Sequence, residues 1–383
     1  MDKPTVQDIF HRFYPAYLDQ YSPSPVQAKV AHNIMNCKTG AYGANVCVCE
    51  DCGFVQIHYN SCRNRCCPMC QAVPKEMWMD ARREDVLDAP YFHLVFTVPD
   101  ILNPVIYSNQ RLLYDALYHA ASSTISELTA DPKHLGAKVG YICILHTWGS
   151  EMNFHPHIHT ILLGGGLASN NQWKDNGENF FLPIRVISKV FRGKYLEELK
   201  RLWEEDKLVF HGTAEKFRNH YTFKELLDSC YGMDWIPHCK KTFNGAQTVI
   251  KYLGKYTHRI AVSNHRIVRM DDDTVTFSVK DYRNEGQWKE LTISGVEFVR
   301  RFLMHVPPRR FVRIRHYGLL CSRTKGQKLT LCRNLLGCKK YLSKLRDMEM
   351  PEILEHLYGI KVCVCKACGG HLGKPQMRMP LRC

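Results

Sequence analysis

The chain has 383 residues, 45% hydrophobic and 23% charged, which excludes a disordered or low-complexity polypeptide and leaves room for two or three domains. Lysine and arginine number 52 against 37 aspartates and glutamates, a net charge of +15 that favours a polyanionic partner, because neutralised phosphates release counterions. With no apolar run long enough for a bilayer and no signal core, the 18 clustered cysteines are expected in a reducing cytoplasm, as metal ligands rather than disulfides.

Residues 8–36 read as helical, with Ile9, Phe10, Phe13, Tyr14 and Tyr17 at helical spacing. From Cys37 to Cys70 the chain is rich in Cys, Gly and Asn. Cys49-x2-Cys52 and Cys67-x2-Cys70 form two knuckles, and four thiolates suffice for one closed zinc tetrahedron. Cys37, Cys62 and Cys66, with or without His32, are a candidate second set. Arg63 and Arg65 lie between the knuckles, either to meet DNA phosphates or as a solvated loop. A helix is predicted over 74–87, then a strand from Tyr91 to Val98 stopped by Pro99, then a helix over 106–129.

Tyr141 to His146 is a strand that returns, as a hairpin, into His155-Pro156-His157-Ile158-His159. Alternate strand residues share a face, so His157 and His159 point the same way and can hold a divalent ion with open positions. Paired surface histidines are also common. A third ligand is sought among His146, His155 and a polar group from elsewhere, with His146 preferred because a hairpin brings it alongside.

A polar loop at 169–180 precedes an amphipathic helix over 186–206. A further helix over 245–257 places Tyr252 and Tyr256 on one face, with Lys251 and Lys255 in a neighbouring register. Phenol ionises only near pH 10 or so, and nearby ammonium groups such as Lys255 lessen that handicap for a nucleophile. The alternative is a helix whose tyrosines pack and whose lysines are solvated. Short strands follow near 259–263, 265–270, 274–280 and 288–293, then a helix over 295–304. Arg310, Arg313 and Arg315 sit on a basic strand that either lines a single-strand channel or forms a solvated edge. A last knuckle, Cys365-x2-Cys368, has open partners among Cys321, Cys332, Cys338, Cys363, His371 and Cys383.

These motifs together resemble the rolling-circle insertion-sequence transposases of the HUH superfamily, of the two-tyrosine insertion sequence ninety-one type. The resemblance runs through Ser61-Cys62-Arg63-Asn64-Arg65-Cys66-Cys67-Pro68-Met69-Cys70, the strand from Phe92, the His146 and His155–His159 segments, Tyr252 to Arg259, and His316 to Leu320. One departure is Cys66, where such families often carry histidine. The resemblance implies an α+β fold, an antiparallel HUH endonuclease core flanked by helices, with an N-terminal zinc-knuckle module and a small cysteine-containing C-terminal region. The expected division is 1–88, 89–305 and 306–383. It implies Mg2+ or Mn2+ at the active site, apart from structural Zn2+. Tyr252 and Tyr256 would cleave single-stranded transposon ends and target DNA through a 5′-phosphotyrosine link. Rival readings are a replication initiator or relaxase using the same chemistry, and a non-enzymatic zinc-dependent DNA-binding regulator. No membrane partner is expected.

Overall fold

A computed structural model describes all residues except 1, 2, 177–179, 181, 236, 244–247, 250, 251, 253, 255–259, 282–285, 375 and 379–383. The strands are β1 (Ala44–Val48), β2 (Val55–Tyr59), β3 (Tyr91–Thr97), β4 (Lys138–Trp148), β5 (Phe154–Leu167) and β6 (Trp173–Asp175). They continue as β7 (His238–Phe243), β8 (Ile267–Met270), β9 (Thr274–Asp281), β10 (Gln287–Ser294), β11 (Ile314–Gly318) and β12 (Gln376–Arg378). The principal helices are α1 (Val6–Leu18), α2 (Pro25–Met35), α3 (Ala72–Arg83), α4 (Asn103–Ser108), α5 (Gln110–Ala130) and α6 (Ile184–Glu204). After them come α7 (His220–Gly232), α8 (Gly295–Met304), α9 (Lys325–Leu336) and α10 (Met350–Tyr358).

The central sheet is antiparallel throughout, in the order β11-β4-β5-β3-β7, with β6 beside β5. β4 and β5 are buried on both faces, which explains their apolar density. One face carries Phe92, Leu94 and Phe96, Tyr141 and Leu145, and Ile158 and Leu162, packed on Leu117, Tyr118, Phe191, Tyr195 and Phe223 of α5, α6 and α7. Complete burial of each such side chain contributes roughly 1.5–3 kcal/mol. The opposite face carries Tyr91, Ile142, Ile144, Ile161 and Leu163, against Met79, Val249, Leu319 and Leu329. The site histidines occupy the rest of that second face. The outcome is the expected class: helices around an antiparallel sheet, with a cysteine-rich N-terminal module.

A second core joins α1, α2 and α8 to the three-stranded sheet β10-β9-β8 through Phe10, Ile34, Phe277, Phe298 and Phe302. Phe10 meets Phe302 edge-on with centroids 5.3 Å apart. This core thus draws side chains from both sides of position 88. The helical stretch expected over 8–36 is two helices. Ser24 caps the second and Pro25 fills its first turn, the position where a missing N–H costs nothing. No strand forms at 260–263, where Ala261 takes φ +51, outside the extended region. The basic strand starts late, at Ile314, because Arg310 turns with φ +59. Thr248, Val249, Tyr252 and Gly254 are helical, and the rest of the helix expected over 245–257 lies outside the described residues. No helix among the described residues is long and apolar enough to cross a membrane.

Gly318 ends β11 with φ +61, and a Cβ there would overlap the Val139 carbonyl oxygen of β4. Gly318→Ala is expected to cost about 2 kcal/mol or more, since strained φ and a backbone clash add. Urea denaturation reads this directly, and a loss near zero would mean that the edge strand is not held as described.

Candidate active site

Register brings the histidines together. In the antiparallel pair β4–β5, His146 lies opposite His157, and alternation puts His159 on the same face two residues on. All three imidazoles are buried, and each offers a nitrogen within 4.8 Å of the others. His146 stacks on Trp148, with centroids 4.6 Å apart. His157 Nδ1–H donates to the His155 carbonyl oxygen at 2.6 Å, which leaves Nε2 as the lone-pair nitrogen. That Nε2 lies 3.0 Å from His159 Nε2. Lone pairs this close repel unless a proton or a cation lies between them, so the trio fits a divalent ion. His155 itself turns away to Asp100, 3.2 Å from its Nδ1.

Burial pushes His157 down to about 3, helped by the neighbouring His155 charge. Burial, then the charges of His146 and His157, lowers His159 well below the usual imidazole range. Both are therefore neutral near pH 7, the form that binds metal.

Tyr252 stands on the same side of the sheet. Its hydroxyl is 2.7 Å from His93 Nε2 and 3.4 Å from His159 Nδ1. His93 in turn lies 2.8 Å from His159 Nδ1. Gly254 fits its backbone against Met79 of α3, where any Cβ would collide with the sulfur. Tyr256 and Lys255 lie outside the described residues. The histidines open into a cleft of about 950 Å3 whose walls include Arg65, Lys75, Arg266, Lys280, Trp148 and Trp288.

The cysteines divide into two sets. Cys37, Cys62, Cys67 and Cys70 form one group, and Cys49, Cys52, Cys365 and Cys368 another, each with its sulfurs within 4.8 Å. The two knuckles that were expected to share one tetrahedron are thus separated. Cys49 and Cys52 sit at the β1–β2 hairpin, and Cys67 and Cys70 pack beneath α1 and α2 with Cys37. Cys66 joins neither group. Its thiol is buried, and desolvation pushes it up to about 11. His32 is likewise in neither group.

Two family models match the chain, a transposase zinc-binding domain over residues 9–98 and a putative transposase over residues 140–328. Among curated relatives, the putative transposase y4qJ of Sinorhizobium fredii (strain NBRC 101917 / NGR234) is 40% identical over 95% of this chain and 93% of its own. The chain belongs to the insertion sequence ninety-one family of rolling-circle transposases. The transposase for insertion sequence element IS801 of Pseudomonas savastanoi pv. phaseolicola is 30% identical over 79% of this chain and 72% of its own. A solved complex of the conjugative relaxase TrwC with oriT DNA, metal-free, is similar over 43% of this chain and 71% of its own. At 13% identity and a TM-score of 0.25, that likeness is too slight to carry weight. The family makes this chain a DNA-cleaving enzyme with DNA as its partner and a zinc-binding N-terminal domain.

The arginines of the transposase that were singled out for DNA fall into different settings. Arg65 lines the cleft while donating to the Phe311 and Pro308 carbonyl oxygens, and Arg63 and Arg310 are exposed. Arg313 is buried with its guanidinium carbon 5.5 Å from the Trp148 ring centroid. Arg315 bonds Asp115 and lies 3.9 Å over Tyr118. These last two are committed to holding β11 against α5 and β4. Sequence reading missed His93 as a site residue, although period two from β3 supplies it once β3 is paired with β5. It also missed Arg266, Lys280 and Trp288, which only the β8–β10 sheet brings to the cleft.

His305 is buried too, bonded to Thr147 and the Met152 carbonyl oxygen, and desolvation lowers it to about 4. A histidine lowered in the folded state leaves more protons on the unfolded chain. Its stabilisation is complete above the unfolded value of about 6.5 and is lost as pH falls through the folded one. The urea midpoint of metal-free protein is expected to drop steadily between pH 6.5 and 4, less steeply in His305→Gln. A flat midpoint over that window would contradict the burial described.

Proposed function

We propose that the transposase cuts and rejoins single-stranded DNA through a 5′-phosphotyrosine on Tyr252, with Tyr256 as the second nucleophile. The observation that supports this most is the Tyr252 hydroxyl resting against His93 and His159 at the three-histidine pocket. His146, His157 and His159 would hold Mg2+ or Mn2+, which when bound draws charge from a scissile phosphate. The His93 contact fixes the direction of the phenol, so the attacking oxygen is held in place before substrate arrives. Tyr252 Oη then bonds to phosphorus as the bond to the 3′ oxygen breaks. The phenol loses a proton, the leaving 3′ oxygen gains one, and the ester keeps the energy for rejoining. No nucleotide is consumed. Lys255 would lower the cost of the phenolate.

Cys37, Cys62, Cys67 and Cys70 are the proposed ligands of the zinc-binding domain. All four lie within the matched range 9–98, and Cys62 and Cys70 sulfurs are 3.8 Å apart. Zinc there would hold the Arg65 loop at the cleft wall. Single-stranded substrate is favoured by the opposite wall. Trp288 is 59% exposed, with Lys280 Nζ 5.5 Å and the Arg266 guanidinium 6.0 Å from its centroid. An aromatic face flanked by cations takes an unpaired base and its phosphate.

A labelled oligonucleotide carrying the element's end, incubated with Mn2+, is expected to give a covalent adduct that mass spectrometry places on Tyr252 or Tyr256. Tyr252→Phe should remove the Tyr252 adduct, and His157→Ala should cut adduct yield at least a hundredfold while leaving the circular dichroism spectrum unchanged. An adduct at neither tyrosine would overturn the reading. Trp288→Ala is expected to weaken single-stranded DNA affinity by roughly 1–3 kcal/mol, the range for one stacked base. Unchanged affinity in fluorescence anisotropy would remove the stacking role.

A further inference from the structure

We propose that Cys49, Cys52, Cys365 and Cys368 form a second structural zinc site that fastens the C-terminal segment onto the N-terminal hairpin. This goes beyond the transposase reading and does not depend on it. The two C-terminal ligands lie outside both matched ranges, 9–98 and 140–328.

The sulfur spacing is that of a metal tetrahedron. Cys49 and Cys368 sulfurs are 3.5 Å apart and Cys52 and Cys365 sulfurs 3.8 Å. A zinc–sulfur bond of about 2.3 Å gives a tetrahedral edge of about 3.8 Å, whereas a disulfide needs about 2.05 Å.

The two Cys-x2-Cys-Gly loops are built alike. Gly53 N–H donates to the Cys49 carbonyl oxygen and Gly369 N–H to that of Cys365, each at 3.0 Å. Both glycines take left-handed φ, +72 and +77, which a turn this tight requires. In the second loop, Ala367 N–H points at Cys365 Sγ and Gly370 N–H at Cys368 Sγ, both at 3.4 Å. Amide dipoles aimed at sulfur favour the thiolate that a metal takes.

The surrounding contacts show why a metal is needed. The C-terminal segment meets the hairpin through Glu50 N–H to the His371 carbonyl oxygen at 3.1 Å and Gly373 N–H to that of Val48 at 2.9 Å. β12 then adds to the edge of β1. Among the described residues, the buried cluster at this junction holds Cys47, Cys49, Cys365 and Leu372. Four small or medium side chains bury too little apolar surface to order two loops from opposite ends of the chain. The ligand pairs are 313 and 319 residues apart, so the ion would close most of the polypeptide into one loop.

The test is metal content of the full-length protein, grown with zinc and measured by plasma mass spectrometry. The Cys365→Ser/Cys368→Ser variant is expected to hold one zinc fewer than wild type, and trypsin should cut after Lys361 or Lys366 at least tenfold faster. Cys363→Ser, which removes a neighbouring thiol outside the cluster, should keep the full zinc content. Equal zinc in wild type and the double variant would overturn the proposal, as would loss of zinc from Cys363→Ser. If the double variant does not fold, Co2+ titration of metal-free wild type decides. Thiolate-to-cobalt absorption should saturate at two equivalents, and saturation at one would overturn the second site. Loss of the other zinc in Cys67→Ser/Cys70→Ser reports on the first site alone, so failure of either assignment is distinguishable.

Discussion

The register of β4 on β5 is the constraint from which the site follows. Placing His146 opposite His157 aligns three imidazoles on one face, and a slip of one residue would send His157 and His159 into the α5–α6 core. The apolar face prevents that slip. Ile158 and Leu162 are buried among Phe92, Phe96 and Tyr118, so misregistering the histidines would expose this set to water. Stability of the core and placement of the histidines are thereby one property of the same strand.

The cost of this placement is electrostatic. Imidazoles lowered as far as His157 are desolvated groups that cannot readily take up charge, and their converging nitrogens are satisfied best by a cation. The wall across the cleft is basic and aromatic, suited to the anionic strand that such a cation would face. Opposing demands are thus divided between two sheets. The buried central sheet sets geometry, and the β8–β10 sheet, anchored by α1 and α8, contributes Lys280 and Trp288 to the facing wall of the cleft.

The parts of this arrangement that were legible in the sequence were local in period. Alternation through His157 and His159 gave strand and shared face, and the Tyr91–Val98 run gave its neighbour. His146 was reachable because one hairpin separates it from His157. His93 was not, since its role depends on pairing between strands more than sixty residues apart. The cysteine clusters show the same limit. Cys-x2-Cys spacing identified the knuckles, but spacing along the chain says nothing of which knuckle meets which, and the pair nearest in sequence was not the pair nearest in space. The basic stripe ending at Arg315 was hard to read for another reason. A basic stripe looks solvated in sequence, yet Arg315 is taken up by Asp115 and Tyr118.

The seating of β12 on β1 has a bearing on how the protein is made. The hairpin at Ala44–Tyr59 leaves the ribosome well before its third strand, which emerges only after more than three hundred further residues. During that interval β1 presents an unpaired edge, the kind of surface on which chains stick to one another. A translation product halted before Cys365 would carry His93, His146, His157, His159, Tyr252 and Tyr256 and still keep that sticky edge bare.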